Sequence, residues 1–162
     1  MNTSKSGSAK YKIQLPSDLD YIPPLRQFVS DIARGEGFSK KICFRMEIIV
    51  DELCTNAIIH GAQDLNGKIY FSADICSETI EFAITNRNGS KSDIENLKNT
   101  IKNTEIDNSH TKGKGIAIAR VLSNDIKISV SQKGETIVKV KKKNVQDDQD
   151  TKAEKYFHKG NR

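Results

Sequence analysis

The segment from Ser39 to Gly61 constrains this 162-residue chain more than any other. Ile42, Met46, Ile49, Val50, Leu53 and Ala57 recur in it at helical spacing, and since each residue turns a helix by about 100° they form one apolar stripe that faces a core. Ser39 is placed to cap the start of this helix and Gly61 to end it after His60. Glu52 and Asn56 are four residues apart, so they stand one turn above the other at the margin of the stripe, and His60 extends the line by another turn. A carboxylate and an amide beside a core must find hydrogen-bond partners or stay wet, because burial unpaired costs about 1–3 kcal/mol each. Spacing alone leaves two readings: a solvated boundary pair, or the wall of a ligand pocket. His60 fits a helix C-terminus as well as a site.

The segments around this helix define a layer for it to cover. Lys10 to Leu15 alternate polar and apolar and stop at Pro16, a short strand. Ser17 or Asp18 caps a first helix that carries Leu25, Phe28, Val29 and Ile32 on one face, with Pro23 and Pro24 in its first turn and Gly35 and Gly37 closing it. Gly67 to Ile75 and Thr79 to Asn86 read as strands joined at Cys76 to Glu78. Polar sequence follows, with a short helix around Ile94 to Ile101. A further helix is expected over Gly115 to Ser123, and then strands Ile126 to Ser131 and Thr136 to Val140 joined at Lys133-Gly134. The order predicts an α/β sandwich whose hairpin-rich sheet is covered on one face by helices. One domain over residues 10–143 is expected, between a polar N-terminus (residues 1–9) and a charged, disordered tail (residues 144–162).

Composition narrows the function classes. Hydrophobic residues are 36% of the chain, enough for one core, yet the longest apolar runs fall far short of the roughly 20 residues that span a bilayer. No signal-peptide core precedes Lys10, so a cytoplasmic, membrane-free protein is expected. Cys43, Cys54 and Cys76 show no paired spacing, and the first two lie in apolar helical sequence as buried thiols. The formal charge of +5 sits largely in the two ends, and with no nucleic-acid motif present direct nucleic-acid binding is not expected.

The run from Met46 to Gly61, with Asp51-Glu52-Leu53-Cys54-Thr55-Asn56-Ala57 at its centre, resembles the N-box of GHKL ATPases in the variant found in anti-sigma-factor serine/threonine kinases. Leu15-Pro16, Asp20-Tyr21, Arg26 and Gly37-Phe38-Ser39 follow the same family upstream. Gly113-Lys114-Gly115-Ile116 is similar to its second glycine box, where glycines let backbone N–H groups approach phosphates at a helix N-terminus. The first glycine box departs: Asn86-Arg87-Asn88-Gly89-Ser90 stands where the family has DxGxG.

The resemblance implies the GHKL (Bergerat) fold, a two-layer α/β sandwich with a mixed, largely antiparallel sheet. It implies Mg²⁺ and ATP or ADP as ligands, with Glu52 as general base and Asn56 as the Mg²⁺ ligand. It also implies Lys112, Gly113, Lys114 and Gly115 around the phosphates, with Ser109 to Gly115 as a lid, and His60 at the margin of the site. Asn86 stands for the family's aspartate, which accepts a hydrogen bond from the adenine amino group, and Asn88 stands for the first glycine. By charge alone, aspartate at position 86 is expected to bind that group more tightly. Arg26 is implied as a contact to an anti-anti-sigma-type protein and a sigma factor, on a surface separate from the pocket, and the assembly implied is a homodimer. The reaction implied is phosphorylation of a serine on the anti-anti-sigma-type partner. The alternative is a non-catalytic binding module of the same fold that sequesters a regulatory partner, its nucleotide site degenerate.

Overall fold

A computed structural model describes residues 7–61, 67–87, 91–102 and 114–145. Its first strand, β1 (Ala9–Pro16), leads through a 3-10 turn at Leu19–Tyr21 into helix α1 (Ile22–Gly35). Asp18 caps the 3-10 turn by accepting from the Asp20 N–H at 3.0 Å, while Pro23 and Pro24 fill the first turn of α1. Gly37, at φ 87°, takes the left-handed conformation that reverses the chain, and the Phe38 N–H returns to the Ala33 carbonyl at 3.0 Å. Helix α2 (Lys40–Gly61) follows, with the Ser39 hydroxyl accepting from the Ile42 N–H at 3.3 Å as the cap the sequence indicated.

Strands β2 (Lys68–Ile75) and β3 (Thr79–Arg87) form a hairpin, and helices α3 (Lys91–Lys102) and α4 (Lys114–Leu122) come next in the chain. Strands β4 (Asp125–Val130) and β5 (Glu135–Lys143) form the last hairpin, turning at Gly134 with φ 77°. The five strands lie in the order β1-β2-β3-β5-β4. Each neighbouring pair is antiparallel, so the largely antiparallel sheet expected is antiparallel at every pairing. The reason is topological: β4, reached from β3 through two helices, lies at the edge, and β5 folds back between them.

The period-2 pattern decides which face of the sheet is covered. Ile69, Phe71, Ala73 and Ile75 of β2, Ile80, Phe82 and Ile84 of β3, and Val138 and Val140 of β5 are buried together with the apolar stripe of α2. The Tyr11 and Phe28 rings meet edge-on at 5.4 Å and tie β1 to α1. The opposite face is polar: Lys139 and Lys141 hold Glu81 at 3.1 and 2.8 Å, and Lys10 pairs with Asp74 at 3.6 Å. Cys43 and Cys54 are buried as expected, and burial with the nearby Asp51 charge pushes the Cys54 thiol up to about 12. Among the described residues no helix is long and apolar enough to cross a membrane.

Candidate nucleotide-binding site

Helix α2 is the wall of the site. Its stripe is clamped into the core by Met46, Ile49, Val50 and Leu53, each at most 2% exposed, so the helix has no freedom to roll. That fixes Glu52 and Asn56 at the edge of the core, half-buried. Desolvation by burial, and secondarily the neighbouring Asp51 charge, raise the Glu52 carboxyl above its ordinary range. The Asn56 Nδ2 is buried and has no hydrogen-bond partner among the described residues. A donor left in that state is costly, which argues for a ligand acceptor beside it.

Helix α4 completes the wall, because Ile116, Ala119 and Leu122 bury one face of it and bring its first turn against α2. Gly115 stands there, and a side chain at this position would displace its neighbours. A Cβ at this position would collide with Glu52 Oε2 and come within 3.1 Å of Asn56 Nδ2. The structure thus brings together three residues that the sequence offered in two motifs, Glu52 and Asn56 in one and Gly115 in the other. The backbone of Lys114 begins α4. Asn88, Lys112 and Gly113, and with them most of the Ser109 to Gly115 segment, lie outside the described residues.

Asn86, at the end of β3, is 7% exposed and faces the helices. Its Nδ2 donates to the Ala57 carbonyl of α2 at 3.3 Å, so the side chain joins sheet to helix one residue beyond Asn56. Directly across the β3–β5 register is Thr136, 4% exposed, whose hydroxyl is buried without a partner among the described residues. Sequence reasoning missed Thr136, taking it only as the start of a strand. The signal available was its place two residues before Val138 on the core-facing side of an alternating strand, where a hydroxyl is out of place without something to bond.

His60 and Arg26 were also expected in functional roles. His60 is exposed on the last turn of α2. Arg26 Nη1 donates to Asp51 Oδ1 at 3.1 Å, which ties α1 to the helix that carries Glu52, one residue on from Asp51 in the chain and about 100° round the helix. This contact arises because α1 packs on α2, which the sequence pattern of either helix does not reveal.

The residues present fit a magnesium nucleotide. An unpartnered amide N–H suits a phosphate oxygen, and the oxygen of the same amide is the kind of hard ligand Mg²⁺ takes in ones and twos alongside phosphates and water. Gly115, lacking a side chain, lets the first turn of α4 close against Glu52 and Asn56, and the N–H groups at a helix start are suited to a phosphate. Among the described residues no group of three or more histidine, cysteine or acidic side chains could hold a metal ion.

Comparison with known proteins gives the class. Residues 15–142 match the family model of the histidine kinase-like ATPase domain, and the chain belongs to that family, whose domain binds adenine nucleotide. Among its relatives, the chain is 32% identical over 98 residues to an anti-sigma F factor of Heyndrickxia coagulans, a match covering 59% of this chain and 66% of that protein. It is 27% identical over 124 residues to the serine-protein kinase RsbW of Listeria innocua serovar 6a and to that of Listeria monocytogenes serotype 4a. Each of these matches covers 74% of this chain and 78% of the relative. The resemblance read from the N-box thus agrees with the matched family and with the names of the relatives.

Proposed function

We propose that this chain is an ATP-dependent serine/threonine protein kinase of the anti-sigma type, working in a partner-switching system. The observation that carries this reading is the meeting of Glu52, Asn56 and Gly115 across α2 and α4. ATP binds with its phosphates at the start of α4 and its base toward Asn86 and Thr136. Asn56 would hold Mg²⁺, which would supply positive charge to offset the negative charge of the transferring phosphoryl group. Glu52 accepts the proton of a serine hydroxyl on an anti-anti-sigma-type protein. The serine oxygen bonds to the γ-phosphorus as the bond to the β-phosphate oxygen breaks, and ADP leaves. A carboxyl raised by burial is a better proton acceptor than an exposed one, which supports this role.

The partner surface in this reading surrounds Arg26, where Leu19 and Tyr21 leave 49% and 42% of their surface open just before α1. A sigma factor is the second protein it engages, and the kinase works in the cytoplasm as a homodimer. The reading is tested by melting the chain with and without millimolar Mg-ATP. Saturation at about one hundred times the dissociation constant adds about 2.7 kcal/mol, a rise of several degrees in a domain of this size. Incubation with radiolabelled ATP and the anti-anti-sigma-type protein expressed from the same genome then reports transfer. A shift without transfer would favour the module that binds nucleotide and sequesters its partner, and no shift would remove the nucleotide site.

A further inference from the structure

At one end of the covered face of the sheet the apolar side chains give way to a polar pair. In the register Asn86 of β3 lies between Ile69 of β2 and Thr136 of β5, and all three are buried. Residues directly opposite in an antiparallel pair carry their Cβ atoms about 5 Å apart, so the Asn86 amide and the Thr136 hydroxyl stand side by side. The Thr136 hydroxyl has no partner among the described residues, and at this depth that is costly unless a ligand brings polar atoms of its own. Asn86 Nδ2 spends one hydrogen on the Ala57 carbonyl, which leaves its second N–H and its oxygen, a donor and an acceptor on one group. A threonine hydroxyl likewise donates or accepts as it rotates.

We infer that Asn86 and Thr136 make a base pocket of both hydrogen-bonding senses, which takes 6-oxopurine nucleotides as well as the 6-aminopurine of ATP. The inference rests on the nucleotide site proposed above, with the base toward this pair. A 6-aminopurine offers a donor at its amino group and an acceptor at N1, and a 6-oxopurine offers the reverse, an acceptor at O6 and a donor at N1. A pocket built in one sense only leaves its buried groups unpaired by the wrong base, and such pockets reject an analogue by about 10⁴–10⁵-fold. Here neither base leaves a group unpaired, because the amide and the hydroxyl each answer a donor or an acceptor. What remains is the orientation that Ala57 gives the amide, a preference on the scale of one neutral hydrogen bond, or about tenfold.

Calorimetry of the full chain with Mg-ATP and with Mg-inosine triphosphate tests this, since the two probes differ only at position 6 and in the proton at N1. Wild type is expected to bind the inosine nucleotide within about tenfold of ATP. Asn86→Asp, whose ionised carboxylate only accepts, should widen the preference for ATP at least about tenfold by losing the inosine nucleotide rather than by gaining ATP. Thr136→Val should weaken both nucleotides by a similar factor of about three to ten and leave their ratio unchanged. A wild type that prefers ATP far beyond tenfold would show a pocket of one sense and overturn the inference while the nucleotide site stands, and this measurement decides even if Asn86→Asp does not fold. Unchanged affinities in a folded Thr136→Val, or an unchanged ratio in a folded Asn86→Asp, would take the base away from the pair. No uptake of Mg-ATP by wild type would overturn the site itself and the base selection with it.

Discussion

The side-chain amide of Asn86 donates to the main-chain carbonyl of Ala57 at 3.3 Å, tying the end of β3 to the helix that carries Glu52 and Asn56. A carboxylate cannot make this bond. Asn86→Asp would turn a charged oxygen toward the Ala57 carbonyl at a position only 7% exposed to water. The sequence by itself suggests that aspartate here tightens adenine binding, whereas the Ala57 contact leads to the opposite expectation. The variant should lose about 1–3 kcal/mol of stability and melt several degrees lower, with no gain in Mg-ATP affinity. Thermal melts paired with calorimetry check it, and a more stable or tighter-binding variant would show that the Ala57 contact carries no weight.

Gly115→Ala separates helix propensity from site geometry. In an open helix this change is worth up to about 1 kcal/mol of added stability. Here the new methyl collides with the Glu52 carboxylate and crowds the Asn56 amide, so the gain should vanish and Mg-ATP affinity should drop at least tenfold. A variant that is more stable and binds normally would mean that α4 does not meet α2 as described.

Glu52→Gln should stabilise the chain without nucleotide at neutral pH while slowing phosphoryl transfer by about 10²–10⁴-fold, the range typical of a removed general base. The sign follows from the raised Glu52 carboxyl. The fold disfavours its ionised form, so the penalty is absent below the unfolded carboxyl value near about 4.3 and grows as pH rises through the folded one. Wild type and variant should therefore melt together at low pH and diverge toward neutrality, the variant higher. Parallel melting curves across that range would contradict the desolvation of Glu52.

Thr136→Val removes a hydroxyl that is buried and has no partner among the described residues. A structural hydroxyl would be missed in the absence of ligand, whereas this one should not be, and the melting temperature should hold or rise. Mg-ATP binding should weaken by about threefold to tenfold, the cost of one neutral hydrogen bond. Loss of stability with unchanged affinity would assign Thr136 to the core and not to the base pocket.

The sequence by itself determined the features that depend on neighbours along the chain. The apolar stripe of α2, its Ser39 cap, the prolines opening α1, the glycine turn at Gly134 and the one-turn spacing of Glu52 and Asn56 are all set within a few residues. They were legible because helix and strand periods are local. Tertiary structure alone decided the contacts on which the site depends. Gly115 presses on Glu52 because α4 docks on α2, and Asn86 meets Ala57 because β3 ends beneath that helix. Thr136 faces Asn86 because β5 inserts between β3 and β4, and Arg26 reaches Asp51 because two helices pack antiparallel. Each joins residues far apart in the chain through sheet register or helix packing. Neither leaves a period in the sequence, since both are fixed only when the core closes and each side chain takes its one available neighbour.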